Sequence, residues 1–243
     1  MGMKRIILAA CLVVSLAIAN IANATTVSFV DTTKIWSGWT NNVVGTNGIA
    51  QNDTDSIGSP QVVTTTIDFT NSILNSIVFT GLYPLPQNVF AGDLFLNLIN
   101  SSNDTTWDYV VRSLNGTDGT YGIYKVAVDA VKNPNTDPYV MSYYDNNPQN
   151  FRSLHPIGVK DSELGQLVGS ATLSGLYTDK ITYNFLNGFD VLDKSFIIGW
   201  TATCANDVIY QQVPVPEPGT MVLLGAGLLG LVVYSKRRMG KSS

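Results

Sequence analysis

The side chains that most often bind metals or act as acids and bases are here one histidine, two cysteines and 18 carboxylates. His155 stands alone, which excludes a zinc site built on two or three histidines. A Ser-His-Asp hydrolase needs a single histidine, but no Gly-x-Ser-x-Gly segment is present to supply the nucleophile. We therefore expect His155 to be a hydrogen-bonded residue in a loop or at a strand end.

Cysteine chemistry is equally restricted. Cys11 lies in an apolar N-terminal run, so Cys204 would be the one cysteine left after removal of that run, which excludes an intramolecular disulfide. Cys204 continues the alternating face that carries Phe196 and Trp200, which predicts a small buried hydrophobic residue. The alternative is a thiol available to a partner protein or to a second copy of the chain.

The aspartates lie mostly in Asn-, Gly- and Thr-rich segments, where Asp favours turns through local hydrogen bonds. A glycoside hydrolase would need two carboxyl groups about 5 to 10 Å apart, and spacing along the sequence does not test that. Asn52, Asp53 and Asp55 suit a structural calcium ion better, because calcium takes six to eight oxygen ligands. The segment lacks the Gly and Glu of an EF-hand, so the predicted calcium site is not an EF-hand. The ion would stabilise the loop, and we expect no other cofactor.

Several aromatic residues fall outside the clearest alternating runs, and Trp36 and Trp39 are the foremost of them. An aromatic ring exposed at the end of a β-sandwich can stack on a sugar ring, so these two tryptophans are candidate ligand-binding residues. The alternative is that they close the ends of the sandwich as part of its core.

Residues 1–24 have the three parts of a secretory signal, a basic start, an apolar run and the small residues Ala22-Asn23-Ala24. This pattern predicts a signal peptide helix that is cleaved after Ala24. A lipoprotein signal centred on Cys11 is the alternative, but the apolar run continues beyond Cys11 to Ile18.

The C-terminal part divides into a Pro-rich linker at 211–219, an uncharged segment at 220–235 and a basic tail at 236–243. The uncharged segment is short for a membrane span, at about 1.5 Å of rise per residue against a hydrocarbon core of about 30 Å. Local thinning of the bilayer and the basic cluster can absorb that mismatch. We expect a short transmembrane helix with a cytoplasmic basic tail.

This tail resembles the PEP-CTERM sorting signal of Gram-negative bacteria, which combines a Pro-Glu-Pro motif, a short apolar helix and an Arg-rich end. The corresponding residues are Pro216, Glu217, Pro218, Arg237 and Arg238. The resemblance implies that an exosortase-type membrane protease recognises the motif and cuts near it. The protein would then pass from an inner-membrane intermediate to the cell surface or the extracellular matrix.

The body, residues 25–210, shows short runs of alternating apolar residues separated by turn signals such as Asn115-Gly116 and Asn187-Gly188. No sustained helical pattern occurs, apart from a single turn near 161–168. These features predict an all-β, antiparallel, jelly-roll-like β-sandwich. The predicted strands are 26–30, 63–69, 73–79, 94–99, 107–111, 121–128, 138–144, 170–176, 181–185, 196–202 and 207–213.

Four phrases of the body also resemble secreted PEP-CTERM proteins that have no assigned activity, so this resemblance implies a compartment and a fold and no chemistry. They are 55–60, 92–96, 107–109 and 200–209.

The charge of the body limits the classes of partner that it can bind. All acidic residues except Glu217 lie between residues 25 and 215, whereas six of the 14 Lys and Arg lie at the two ends of the chain. An acidic body repels phosphate backbones, which excludes nucleic acid as a partner. We expect a non-enzymatic surface or matrix protein that binds exopolysaccharide. The alternatives are a self-associating adhesive protein and a hydrolase of matrix polysaccharides.

Overall fold

The structure of the protein is a computed structural model. The structure describes residues 24–33, 36, 61–83, 85, 89–98, 107–114, 116–126, 139–142, 155–191, 195–215, 227–228 and 230–231.

The described part of the body consists of β-strands joined by turns, together with one 3₁₀ turn at Asp161–Glu163. The strands arise where β-branched and aromatic residues alternate with polar ones, as in β2, where buried and half-buried side chains alternate. The twelve strands are β1 Ala24–Val30, β2 Gln61–Thr70, β3 Ile73–Tyr83, β4 Leu94–Asn97, β5 Tyr109–Val111, β6 Gly119–Val126, β7 Tyr139–Met141, β8 Pro156–Val159, β9 Leu164–Ser174, β10 Lys180–Asp190, β11 Phe196–Thr201 and β12 Val208–Val213.

Ten strands form one antiparallel sheet in the order β1-β2-β3-β10-β9-β6-β5-β4-β11-β12, and β7 pairs with β8 in a separate two-stranded sheet. The connections from β3 to β4 and from β10 to β11 each cross the run of strands between them, as in Greek-key topologies. The all-β antiparallel prediction is therefore confirmed. A single large sheet takes the place of the two separate layers of an ordinary sandwich.

This sheet curls until it is nearly closed. The ring centroids of Phe69 in β2 and Phe196 in β11 are 6.0 Å apart, and Phe79 in β3 stacks on Trp200 at 4.9 Å, although these strands are far apart in the sheet order. Thr33, just after β1, exchanges two hydrogen bonds of 3.3 Å with the backbone of Tyr210 in β12. The two edge strands are thereby linked across the gap.

Two hydrophobic clusters follow from this curl. The main core fills the space between the facing halves of the sheet and takes side chains from β2, β3, β9, β10, β4 and β11. A second cluster, here called the outer cluster, lies on the other face of β4, β5 and β11 beneath the β7–β8 sheet. It contains Trp36, Phe95, Trp107, Val110, Tyr139, Ile157, Val159, Ile197, Ala205 and Val208.

The curled sheet has two distinct ends, named here because the chain leaves the body at one of them. The termini end carries the first residue of β1, the β2–β3 turn at 71–72 and the last residue of β12, since Ala24 pairs with Thr70 and Val213 pairs with Phe196. The opposite end carries the turns at 112–118, 175–179 and 202–207. The ten residues of β2 separate the two ends by about 30 Å.

The single helical turn predicted near 161–168 is present as the 3₁₀ turn at Asp161–Glu163, which leads into β9. Two other local predictions need correction. β8 was not predicted, because its four residues are all buried and show no alternation. Asn187 and Gly188 form a bulge inside β10, at φ 66° and 73°, and not a hairpin turn.

Candidate functional site

The first candidate site is the segment at which the chain leaves the folded body. β12 ends at Val213, which is fully buried and pairs with Phe196 of β11. Pro214 follows, and because proline has no N–H it cannot extend the ladder. Val215 still packs against the main core. The chain therefore separates from the body only after residue 215.

The predicted processing residues Pro216, Glu217, Pro218, Arg237 and Arg238 lie outside the described residues. Of the predicted membrane segment 220–235, the structure describes 227–228 and 230–231, which are helical and include the exposed side chains of Leu228 and Leu231. Within the described part of the chain, no helix combines the length and apolar character needed to cross a membrane.

A family model described as the PEP-CTERM protein-sorting motif matches residues 214–238. The chain carries a PEP-CTERM sorting motif. The motif begins at the first residue after β12, so sorting signal and folded body adjoin without a spacer. No curated protein and no solved structure is detectably similar to the chain.

The PEP-CTERM motif implies sorting to the cell surface through exosortase, a membrane protease. The protein is accordingly one that passes through the membrane on its way to the surface. The predicted resemblance of the tail is confirmed, and the motif implies processing by exosortase.

The second candidate site, the tryptophan platform, is contradicted at Trp36, which is fully buried. The centroid of its ring lies 5.1 Å from the ring centroids of Phe95 and Trp107 and 4.7 Å from that of His155. Gly199 in β11 makes room for it, because a Cβ there would lie 3.1 Å from Trp36 and 2.4 Å from Trp107. Trp36 is a core residue of the outer cluster, and Trp39 lies outside the described residues.

His155 is buried beside this cluster, immediately before β8. Its backbone N–H donates to the hydroxyl of Ser142 at 3.1 Å, and its Nδ1 lies 3.0 Å from the carbonyl oxygen of Pro156. Because a carbonyl only accepts, Nδ1 carries the proton in that contact. The expectation of a hydrogen-bonded histidine at a strand end is confirmed.

The most highly connected polar group in the described part of the body is Asp93, to which the sequence alone assigned no role. Its carboxylate is fully buried and accepts the backbone N–H groups of Ser113 at 2.7 Å, Leu114 at 2.6 Å and Val159 at 2.9 Å. Arg112 adds an ion pair at 3.0 Å. Asp93 thus fastens the β5–β6 loop and β8 to the segment before β4.

The surroundings of Asp93 leave no room for a ligand. A Cβ added at Gly158 would lie 2.8 Å from its Oδ2 and 3.0 Å from Leu114. The backbone N–H of Asp93 itself donates to Ile157 at 2.8 Å. Burial raises the pKa of the Asp93 carboxyl to about 6, although Arg112 and the three N–H donors act in the opposite direction. We interpret Asp93 as a structural clamp, because a perturbed carboxyl with no access to substrate cannot act as a general acid.

A short chain of polar groups runs from Asp93's neighbour Gly92 through the main core. Ser113 donates to the carbonyl of Gly92 at 2.7 Å and lies 3.0 Å from the hydroxyl of Tyr183, which accepts the indole N–H of Trp200 at 3.0 Å. Burial raises the pKa of Tyr183, so the phenol remains neutral. The predicted interior position of Trp200 is confirmed, since its ring is fully buried.

Asp207 is a second aspartate with an unforeseen role. Its carboxylate accepts the backbone N–H of Val62, and its backbone carbonyl accepts the hydroxyl of Thr201 at 2.6 Å. It joins the start of β2 to the β11–β12 turn across the main core. Cys204 in the same turn is half-buried and packs against the main core, as a small hydrophobic residue does.

The described residues form no evident metal site. Among them, no group of three or more His, Cys, Asp or Glu side chains is close enough together to hold an ion. Asn52, Asp53 and Asp55, the predicted calcium ligands, lie outside the described residues, so that site stays a prediction.

Proposed function

We propose that the protein is a non-enzymatic component of the cell surface or extracellular matrix that binds polysaccharide. In this proposal exosortase cuts near Pro216, and the body then binds polysaccharide with its opposite end. The observation that carries the proposal is the position of the motif, which starts directly after β12 at the termini end. The opposite end is thereby left clear of the processing site.

A ligand platform at the opposite end is supported by Tyr177. Its side chain is 49% exposed in the β9–β10 turn, and large aromatic side chains with a polar tip are common at binding surfaces. Its neighbours Thr178 and Asp179 line a small, mainly apolar cavity together with Gln61. The exposed ring offers stacking to a sugar and the exposed Asp179 carboxylate offers hydrogen bonding, whereas the hydroxyl of Thr178 is already bonded to two backbone carbonyl groups. Tyr177 takes the role that Trp36 cannot fill.

Replacing Glu217 with alanine should prevent release of the body. The reason is that the replacement removes the one charged residue of the Pro-Glu-Pro motif. We expect the variant to accumulate in the membrane fraction with its tail attached, while the unchanged protein appears at the surface with a C-terminus close to Pro216. Mass spectrometry of the released form and fractionation of the cells measure both results.

Gln212→Ala is the matched control, because Gln212 is an exposed polar residue of β12 that precedes the motif. It should be processed like the unchanged protein. A mature surface form that still ends at Ser243, or equal release of the Glu217 variant and the control, would contradict the proposed processing.

Replacing Tyr177 with alanine should weaken binding of the mature protein to exopolysaccharide from the producing cells at least several-fold. Because the ring is half exposed, the free energy of unfolding should change by no more than about 0.5 kcal/mol. A pull-down with immobilised exopolysaccharide and a thermal melt measure the two effects. Asn184→Ala serves as the control, since Asn184 is also exposed but lies on the outer face of β10, away from the opposite end. Equal binding by both variants would remove Tyr177 from the proposal.

Self-association is a second candidate function, and it has an observation of its own. Leu167 and Val168 in β9 and Leu186 in the neighbouring β10 are exposed on the outside of the sheet. Exposed apolar side chains on adjacent strands are typical of contact surfaces when they form a patch. Concentration-dependent association of the mature protein without polysaccharide binding would favour this function.

A further inference from the structure

The two ends of the body's chain lie at the same end of the fold. Ala24 at the start of β1 pairs with Thr70, and Phe69 beside it contacts Phe196 across the main core at 6.0 Å. Phe196 in turn pairs with Val213 at the end of β12. The first and last strands therefore both reach the termini end, although they occupy opposite edges of the sheet.

The chain between this end and the apolar segments is short. Val215 packs against the main core, so the link to the segment at 220–235 consists of residues 216–219. A fully extended chain spans at most about 3.6 Å per residue, which places the termini end within about 20 Å of that segment. At the N-terminal end of the body, the apolar run that ends at Ile18 is only six residues from Ala24.

We propose that the termini end of the body lies against the lipid surface while the C-terminal segment is inserted in the membrane, with the opposite end directed away from it. This inference rests on the proposed insertion of residues 220–235. It follows because a link this short holds Val215 close to the bilayer, while the six residues of β12 extend about 20 Å from Val213 back toward the opposite end. The β2–β3 turn faces the lipid headgroups, and Tyr177 faces the surroundings of the cell.

The orientation can be measured on the full chain in membrane vesicles. Ser72→Cys places a label in the β2–β3 turn at the termini end, and Ser174→Cys places one at the end of β9 beside the opposite end. Both are near-isosteric changes, made with Cys11 and Cys204 replaced by serine so that a single thiol is labelled. With an energy acceptor on the lipid headgroups, we expect efficient transfer from the Ser72 position and loss of most of it from the Ser174 position.

A second measurement needs no substitution. Lys125 is exposed near the end of β6 at the termini end, and Lys180 is exposed at the start of β10 at the opposite end. An amine-reactive reagent that does not enter membranes should modify Lys125 less in the membrane-bound chain than in the released body. Modification of Lys180 should be the same in both forms. Mass spectrometry gives the extent of modification at each lysine.

The outcomes separate the two proposals. If alkaline extraction removes the uncleaved chain from the vesicles, the insertion of residues 220–235 is refuted and this orientation with it. If the chain resists extraction but the two labels transfer energy equally, and the two lysines are modified equally, the body lies on its side. That result overturns the orientation alone and leaves the sorting function intact.

Discussion

Replacing Trp200 with alanine is expected to lower the free energy of unfolding by about 3 to 5 kcal/mol. The indole is fully buried in the main core, stacks on Phe79 at 4.9 Å and donates to the hydroxyl of Tyr183 at 3.0 Å. Alanine would leave a cavity and remove a hydrogen bond from a buried phenol. This is a large share of a domain stability of about 5 to 15 kcal/mol. Urea unfolding of the mature protein measures the effect.

Trp200→Phe separates the two contributions. Phenylalanine keeps most of the ring contacts with Phe79 but lacks the indole N–H, so it should cost only about 1 to 2 kcal/mol. If Trp200→Ala unfolds at the same urea concentration as the unchanged protein, the facing of β3 and β11 in the curled sheet is wrong.

Replacing Asp93 with alanine should be about as damaging, at about 3 to 5 kcal/mol. The substitution leaves the N–H groups of Ser113, Leu114 and Val159 without their acceptor and removes the buried partner of Arg112. Asp161→Ala is the matched control, because Asp161 also pairs with Arg112 but its side chain is 83% exposed. The control should cost no more than about 1 kcal/mol. Equal losses from both variants would show that Asp93 is no clamp.

The effect of pH tests the state of Asp93 in the same variants. A folded-state pKa of about 6 lies above the ordinary value of 3.8, so the folded protein binds the proton more tightly than the unfolded chain does. The contribution of Asp93 to stability therefore increases as the pH falls from 7 toward 4. The difference in unfolding free energy between the unchanged protein and Asp93→Ala should widen over that range. A narrowing difference would mean that Arg112 and the N–H donors outweigh burial.

Most strands of the body could be predicted because their alternation is a local property of the sequence. Ile181, Tyr183 and Phe185 are buried on one face of β10, as their spacing indicates. The order of the strands could not be read in this way. The pairing of β3 with β10 joins residues about a hundred positions apart, and nothing local in either strand specifies its partner.

The errors at β8 and at Asn187–Gly188 also arise because tertiary packing decides the structure there. β8 is buried on both faces, by the outer cluster and by Asp93, so it lacks the alternation of a half-buried strand. Asn187 and Gly188 carry the residues of a hairpin turn. The pairing of Phe189 with Leu74 and Asp190 with Ile73 nevertheless continues the ladder beyond them. The local signal gives the backbone conformation, and the tertiary pairing decides whether it becomes a turn or a bulge.

The site residues also divide into those that a local sequence pattern predicts and those that depend on the assembled fold. The Pro-Glu-Pro motif is read as a linear segment, so the sequence was enough to predict it. Trp36 is buried because β7 and β8 cover the outer face of the sheet, and Asp93 is buried because two distant segments, the β5–β6 loop and β8, meet around it. Burial of this kind depends on the assembled fold, and a single tryptophan or a Gly-Asp pair carries no sign of it.

The place of β11 and β12 in the sheet also sets the order in which the protein can fold. These last two strands lie beside β4 and supply Phe196, Ile198 and Trp200 to the main core, where they face β2 and β3 from the beginning of the body. A chain exported from its N-terminus cannot enclose that core until residue 213 has emerged. Long-range pairings of this kind are slow to form. If residues 220–235 insert as proposed, the apolar segment that begins about seven residues later would reach the bilayer at that point, and the last step of folding would take place beside the membrane. Each unfinished body would then be tethered to the bilayer separately, which would lower the chance that its exposed apolar strands aggregate with other chains during export.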